Sequence, residues 1–287
     1  MTATCCTHRS AGAGRRSPHV IDHRGRWSCA VSVIVRVALA GSIVACGRMG
    51  FDDTAGGASD LADAGPDAPA GPSDSAPDRP GSTTQPVLVQ QKTGSAPNVT
   101  TLSLELGQTS AGDLLVMIGA NTLGALTSVT GGGVTSWSMA AGSDDYSNTE
   151  IWYGVVAAAA AKPRIVIKCD TTGYFRMNVT EWSGLVSSQD EVLDQASARS
   201  GSSSPALAGA FTTTHVAELV LLGVSDYAPS SLGAPTGGAW SAMTSITVPG
   251  NYIQGSWYQV AAPGSVSPTV QTSHDWAAAI AAFQVAP

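Results

Sequence analysis

The sequence repeats one order of apolar and aromatic residues, with a spacing of just over one hundred positions. The segment GDLLVMIG at 112–119 is matched 105 positions later by AELVLLG at 217–223, and Trp152-Tyr153 is matched by Trp257-Tyr258. Two further matches, at offsets of 103 and 101, are Trp137-Ser138-Met139 with Trp240-Ser241-Ala242-Met243, and Thr180-Glu181-Trp182 with Ala281-Ala282-Phe283. We interpret this order as a duplication, with chance similarity among β-strands as the alternative. We expect both halves to contribute strands to both sheets of a pseudo-twofold sandwich, with the repeated aromatics in its core.

Beyond Gln85 the apolar residues alternate with polar ones or form short β-rich runs between turn-forming clusters. This pattern predicts an all-β fold, a jelly-roll-like β-sandwich. The predicted strands are Val87–Lys92, Val99–Leu106, Asp113–Asn121, Thr127–Thr130, Thr135–Ala140, Thr149–Val156, Arg164–Cys169, Tyr174–Trp182, Ala206–Thr213, Glu218–Ser225, Ala239–Ile246, Tyr252–Val260, Ser265–Thr272 and Trp276–Val285. The alanine run Ala277–Ala282 is interpreted as part of the last strand, with a C-terminal helix as the alternative.

Three short motifs lie within these predicted strands and turns. They are Ala111-Gly112-Asp113-Leu114-Leu115-Val116, Glu181-Trp182-Ser183-Gly184, and Thr212-Thr213-Thr214 followed by Ala217-Glu218-Leu219-Val220. With these motifs, residues 85–287 resemble a broad group of uncharacterised secreted bacterial jelly-roll modules. The resemblance implies a β-sandwich and an extracellular setting, and it implies no catalytic residue. By analogy of fold alone it also suggests a carbohydrate-binding module.

The N-terminal part contains a short apolar run, Val37–Ala45, which follows Arg36 and immediately precedes Cys46. A helix that spans a membrane needs about 20 apolar residues, so this nine-residue run is typical of a signal peptide instead. The residues Ile43-Val44-Ala45-Cys46 resemble the lipobox of bacterial lipoproteins. The resemblance implies that Cys46 is lipidated and becomes the new N-terminus. The alternative is a buried cysteine in an ordinary hydrophobic segment.

The segment Asp52–Pro86 consists largely of Gly, Ala, Pro, Ser and Asp. It cannot bury enough apolar surface to offset its ordering entropy, so it is predicted to be a disordered linker. The expected organisation is a signal peptide over 1–45, the lipidated cysteine with its linker over 46–86, and the β-sandwich over 87–287. Because the segment before the apolar run is long, we hypothesise that translation begins near Val31 or Val33. The resemblance to Gram-negative surface lipoproteins, with Gly47 after the cysteine, implies an outer-membrane location with surface exposure.

Composition argues against several classes of protein. A net charge of −7 disfavours a nucleic-acid partner, which needs a basic face, and a mean hydropathy of +0.11 without long apolar runs disfavours a multi-span membrane protein. The sequence lacks C-x-x-C, H-E-x-x-H and G-x-S-x-G patterns. We therefore expect no enzyme and no cofactor. Cys169 is interpreted as a buried small side chain, and His215 and His274 as members of solvated loops.

Aromatic and oxygen-bearing side chains at predicted loop edges are the remaining site candidates. Exposed aromatic rings can cover the apolar faces of sugars while neighbouring polar groups bind hydroxyls. The candidates for such a ligand-binding rim are Tyr146, Tyr174, Tyr227 and Tyr252 with Asp145, Asp170, Asp226 and Asn251. Core packing or turn capping is the alternative for each. Asp144, Asp145 and Asn148 could also supply oxygen ligands to Ca²⁺, with a solvated hairpin turn as the alternative.

These patterns together predict a non-enzymatic surface lipoprotein that presents a β-sandwich for adhesion or carbohydrate binding. Its expected partners are the membrane, through the lipid, and a glycan or an envelope protein. One alternative is a structural or assembly subunit of a cell-envelope complex. The other is a hydrolase that uses Glu150 and Glu181, since glycosidases hold two carboxyl groups about 5–10 Å apart.

Overall fold

The computed structural model describes residues 85–143, 148–227, 232–248 and 252–287, with only the backbone of Tyr252 described. The predicted signal peptide, Cys46 and almost all of the predicted linker lie outside these residues. The described ranges contain strands and turns only, and no helix in them is long and apolar enough to cross a membrane. The predicted all-β sandwich is confirmed, and the C-terminal alanine run forms a strand.

The first half of the domain forms one antiparallel sheet of six strands. Its strands are β1 (Val87–Glu105), β2 (Leu114–Asn121), β3 (Leu126–Gly131), β4 (Ser138–Gly142), β5 (Asn148–Val155) and β6 (Arg164–Ser183). Their order is β1-β6-β2-β5-β4, with β3 paired to β6. Sequence analysis predicted two strands in place of β1 and two in place of β6. Pro97 and Gly173, which suggested turns in the sequence, lie near one another on the paired strands β1 and β6. The register of the pairing shifts there, but the pairing continues on both sides.

The second half forms the other six-stranded sheet and two short strand pairs. Its strands are β7 (Leu193–Gly201), β8 (Ala206–Leu207), β9 (Phe211–Thr213), β10 (Glu218–Asp226), β11 (Ser241–Ala242), β12 (Ile246–Val248), β13 (Tyr252–Ala261), β14 (Gly264–Val266), β15 (Thr269–Val270) and β16 (Trp276–Phe283). The sheet order is β11-β13-β10-β16-β7, with β12 paired to β13. The short pairs are β8 with β15 and β9 with β14. Strand β7 was not predicted, because the only alternating apolar residues in its sequence LDQASARSG are the small Ala196 and Ala198.

Five strands of each sheet have the same order and the same register, whereas the sixth strand pairs with β6 in the first sheet and with β13 in the second. Leu114 on β2 pairs with Val155 on β5, and 105 positions later Leu219 pairs with Val260. The pairing of β2 with β6 is repeated by β10 and β16 in the same way. The chain is therefore an internal duplication in which each half builds one complete sheet. The expectation that each half contributes to both sheets is wrong, because the strands of each six-stranded sheet pair only with strands of the same half.

The interior between the sheets contains four of the eight repeated aromatic residues, and the prediction is right for these four. The other four, Trp137, Trp152, Trp240 and Trp257, pack in the clusters on the outer faces of the two sheets. Tyr153 packs edge-on against Phe283, with ring centroids 5.5 Å apart, and Trp182 packs in the same way against Tyr258 at 5.0 Å. The two contacts join equivalent positions of the two halves, because Tyr153 and Tyr258 are 105 residues apart. This reciprocity gives the sandwich a pseudo-twofold axis.

Both central strands, β2 and β10, are buried along their whole length. The outer face of β2 packs against β3 and one end of β6, and the outer face of β10 packs against the short strands β8, β14 and β15. Burial on two faces explains why both strands have continuous apolar sequences instead of alternating ones. Cys169 lies in the outer cluster of the first sheet and is buried, as predicted.

Candidate functional site

The strand ends beside the predicted tyrosines lie together at one end of the sandwich. Thr149 at the start of β5 has its Oγ1 2.6 Å from Ser225 Oγ at the end of β10. The same hydroxyl donates to the carbonyl oxygen of Ala277 at the start of β16, at 3.2 Å. Tyr174, Tyr227 and the start of β13 lie at these strand ends. We call this end of the sandwich the tyrosine end.

Tyr227 is the exposed aromatic side chain at the tyrosine end, with 47% of its surface accessible. Its backbone N–H donates to the carbonyl oxygen of Asp275, at 3.1 Å. The neighbouring Asp226 is buried, and its Oδ2 accepts a hydrogen bond from Ser273 N at 2.9 Å. Asp226 therefore fixes the loop that leads into β16, and it supports Tyr227 from inside the fold.

Tyr174 has a packing role in addition to its position at the tyrosine end. Its side chain is half-buried against Ile246 and Val248 of β12, a strand of the opposite sheet. Its backbone N–H donates to Thr122 Oγ1 at 3.1 Å. The structure thus gives Tyr174 the core-packing role that sequence analysis left open. Asp170, its predicted neighbour, is exposed.

Several predicted site residues lie outside the described residues: Asp144, Asp145, Tyr146 and Asn251. Tyr252 begins β13, where its backbone pairs with Val248. Of the three predicted Ca²⁺ ligands only Asn148 is described. It is buried, and its Nδ2 donates to Glu150 Oε1 at 2.6 Å and to the carbonyl oxygen of Gly124 at 3.2 Å.

Glu150 and Glu181 occupy opposite ends of the first sheet. Each pairs beside β2, Glu150 opposite Gly119 and Glu181 opposite Leu115. Four residues along a strand correspond to about 14 Å, which exceeds the separation of the two carboxyl groups in a glycosidase. Both oxygens of Glu150 accept hydrogen bonds, from Leu126 N and Asn148 Nδ2 at one oxygen and from Trp152 Nε1 at the other. The geometry therefore does not support this pair as a hydrolase site.

The opposite end of the sandwich, where β1, β2, β7 and β10 begin, carries two acidic clusters. We call it the entry end, because the described chain enters the fold there at Val87. In the first half, Glu181 accepts hydrogen bonds from Ser110 N at 2.9 Å and from Gln90 Nε2. Burial, and then the charge of Glu181, raises the pKa of Asp113 to about 6. This pair therefore retains a proton at mildly acidic pH.

In the second half, the equivalent cluster consists of Asp194, His215 and Glu218, and Thr214 adjoins it. The His215 Nδ1 lies 3.3 Å from Glu218 Oε1 and 3.6 Å from Asp194 Oδ1. Thr214 Oγ1 donates to Asp194 Oδ1 at 2.7 Å. Burial acts to raise the pKa of Asp194, but hydrogen bonds from Thr214 and Glu218, together with the charge of His215, outweigh it and lower that pKa. Burial raises the pKa of Glu218.

Sequence analysis missed this cluster. It interpreted His215 as part of a solvated loop and assigned no strand around Asp194. The available signal was the duplication, since Glu218 lies 105 positions after Asp113 and the loops before both residues are equivalent. No protein-family model, no curated protein and no solved structure matches this chain. The functional inference therefore rests on the geometry described above.

Proposed function

We propose that this protein is a non-enzymatic, lipid-anchored surface protein that presents its tyrosine end for adhesion or carbohydrate binding. The observation that carries the proposal is the opposite placement of the entry end and the tyrosine end. Val87 pairs with Ser183 beside the start of β2, whereas Thr149 pairs with Ala120 near the end of β2 and Tyr227 follows the end of β10. The eight residues of β2 separate the two ends by about 24 Å.

This placement suits a module that is held by its N-terminal side. A lipid on Cys46 would attach to the sandwich through the segment that enters at Val87. If the 40 residues from Cys46 to Gln85 form the predicted linker, a flexible chain of that length would span about 35 Å and would hold the domain clear of the membrane surface. The tyrosine end then faces away from that surface, where a glycan or another cell can reach it.

The binding half of the proposal depends on Tyr227. Its ring is half-exposed at the end of β10, and the buried Asp226 beneath it fixes the adjoining loop. An exposed aromatic ring next to loop polar groups suits the apolar face of a sugar, and the hydrogen bond from Tyr227 N to the carbonyl oxygen of Asp275 holds the backbone that carries it. The net charge of −7 favours a neutral or basic ligand over an anionic polymer.

Two experiments test the two halves separately. For the anchor, cells that express the wild-type chain or Cys46→Ser are labelled with palmitate and fractionated. Loss of the label and release from the membrane fraction support the proposal, whereas identical behaviour of the two proteins contradicts it.

For binding, the full chain is tested on arrays of glycans and cell-wall polymers. We expect Tyr227→Ala to weaken binding at least about 10-fold, with Val216→Ala as the matched control. Val216 is also exposed, but it lies at the entry end. Equal binding by both variants, or none by the wild type, contradicts the carbohydrate role. A stoichiometric partner that co-purifies after detergent extraction would then favour the assembly-subunit alternative.

A further inference from the structure

We propose that Asp194, His215 and Glu218 form a binding site for Zn²⁺ or a similar divalent first-row metal ion at the entry end of the sandwich. The site lies at the other end of the fold from the tyrosine end and is independent of the proposed glycan binding. One imidazole nitrogen and two carboxylates are a ligand set that such ions accept.

The distances between the ligand atoms fit a single ion. Zn²⁺ binds nitrogen and carboxylate oxygen at about 2.1 Å in tetrahedral geometry, so its ligand atoms lie about 3.4 Å from one another. His215 Nδ1 lies 3.3 Å from Glu218 Oε1 and 3.6 Å from Asp194 Oδ1. One ligand atom from each of the three residues lies within 4.8 Å of the others. Binding would therefore need only small side-chain adjustments.

Glu218 provides a second, independent indication of a ligand. Its side chain is fully buried, and its Oε2 has no hydrogen-bond partner among the described residues. Its Oε1 accepts hydrogen bonds from Thr214 N at 3.1 Å and His215 N at 2.8 Å, which fixes the carboxylate within the cluster. A buried carboxylate with an unpaired oxygen is costly unless a proton or a cation compensates it.

The duplication offers an internal comparison. Both halves have a β-bulge at the same place in the edge strand, where one residue lies outside the pairing: Val89 in β1 and Asp194 in β7. A bulge changes the direction of its side chain, and only the second half places a carboxylate there. The second half also has His215 where the first half has Ser110. The first half therefore lacks both residues that complete the metal-ligand set, and it has Glu181 where the second half has Ala282.

The surroundings of the cluster suit a bound ion that keeps one open position. His215 is 49% exposed, so an ion can enter from solvent past the imidazole, while the Asp194 side chain is 7% exposed. With the imidazole neutral, two carboxylates balance the charge of a divalent cation. Three protein ligands leave a fourth tetrahedral position for water.

The competing explanation is a proton shared between Asp194 and Glu218, as in the acidic pair of the first half. Zinc titration of the full chain distinguishes the two explanations. The protein carries no polyhistidine tag and is freed of metal with a chelator before calorimetry. Co²⁺ is titrated in parallel, because its visible absorption bands report coordination by protein ligands.

The decisive variant is His215→Ala, since this half-exposed side chain can be removed with little effect on packing. We expect it to weaken Zn²⁺ binding about 100-fold or more and to abolish the Co²⁺ bands. His274→Ala, which removes the other described histidine, and Asp113→Asn, in the equivalent cluster, should bind both ions as the wild type does. If His215→Ala alters the circular dichroism spectrum, Asp194→Asn replaces it as the test. Wild-type affinity in the tested variant, or no Zn²⁺ binding by the wild type, overturns the proposal.

Discussion

Replacing Asp113 by Asn should stabilise the protein at neutral pH and have no effect in acid. Asp113 faces the carboxylate of Glu181, and its pKa rises from 3.8 to about 6 because of burial and then the charge of Glu181. The folded protein therefore binds a proton that the unfolded chain has released between these pH values. The contribution of Asp113 to the free energy of unfolding is therefore most favourable below about pH 4, and it becomes less favourable as the pH rises towards 6. Asn resembles the protonated acid in shape and charge, so it removes this loss.

The size of the effect follows from the rise in pKa. At about 1.4 kcal/mol per pH unit, a rise from 3.8 to about 6 corresponds to about 3 kcal/mol. Asp113 is only partly buried, so solvent screens the interaction and reduces the effect to about 1 kcal/mol. We therefore expect the free energy of unfolding of Asp113→Asn to exceed that of the wild type by about 1 kcal/mol at pH 7 and to equal it near pH 4.

Urea unfolding, followed by tryptophan fluorescence at intervals between pH 4 and 8, measures this difference directly. Glu105→Gln is the matched control, because Glu105 forms an exposed ion pair with Arg164 at 4.0 Å and should contribute well under about 1 kcal/mol. A gain for Asp113→Asn that is the same at every pH would show that packing, and not the proton, causes it. A loss of stability at pH 7 would refute the reasoning altogether.

Three further predictions concern the packing and the turns, and all are measured by urea unfolding at pH 7. Gly223→Ala should lower the free energy of unfolding by about 1–3 kcal/mol, since its Cβ would collide with Ile118 Cγ2. Ile118→Ala in the same chain should recover part of this loss, and a double variant whose loss equals the sum of the two single losses would contradict the predicted collision. Gly112→Ala should lower the free energy of unfolding by about 1 kcal/mol because φ is +88° there. Ala217→Gly, at the equivalent position with φ of 61°, should raise it by about 0.5 kcal/mol, and a gain for Gly112→Ala or a loss for Ala217→Gly would contradict the assignment of strain. Thr149→Val should lower it by about 1–2 kcal/mol by removing a buried hydroxyl bonded to the opposite sheet, and an unchanged value would show that this bond contributes nothing.

The duplication was predictable from sequence because its signals are local. Leu114–Asn121 and Glu218–Asp226 are apolar on both faces, and each is followed at a fixed distance by a strand with an aromatic pair. Strand β7 was not predictable in the same way. It lies at the edge of its sheet, and its core-facing residues Leu193, Ala196 and Ala198 give only a weak alternation because two of them are small and a bulge at Asp194 interrupts the pattern. The assignment of each half to a single sheet depends on pairing between strands, which no single segment encodes.

The candidate sites depended even more on contacts between distant segments. Tyr174 packs against Ile246, which is 72 positions away and belongs to the opposite sheet, so its sequence neighbours gave no indication of this role. The proposed metal site joins Asp194 to His215 and Glu218 across a β-bulge at Asp194, which sequence neighbours do not reveal. Tyr227, in contrast, was predictable because it follows a buried strand directly and its exposure depends on that local position.

Each half of this chain is a self-contained sheet with the whole interior of the sandwich on one of its faces. Each half is therefore organised like one subunit of a dimer. The reciprocal Tyr153–Phe283 and Trp182–Tyr258 contacts are those that two identical subunits would make across a homodimer interface. The linkage of the two copies in one polypeptide frees them from strict identity. The second copy could therefore acquire Asp194 at the bulge and His215 in the adjoining loop, while the first copy has Val89 and Ser110 at these positions.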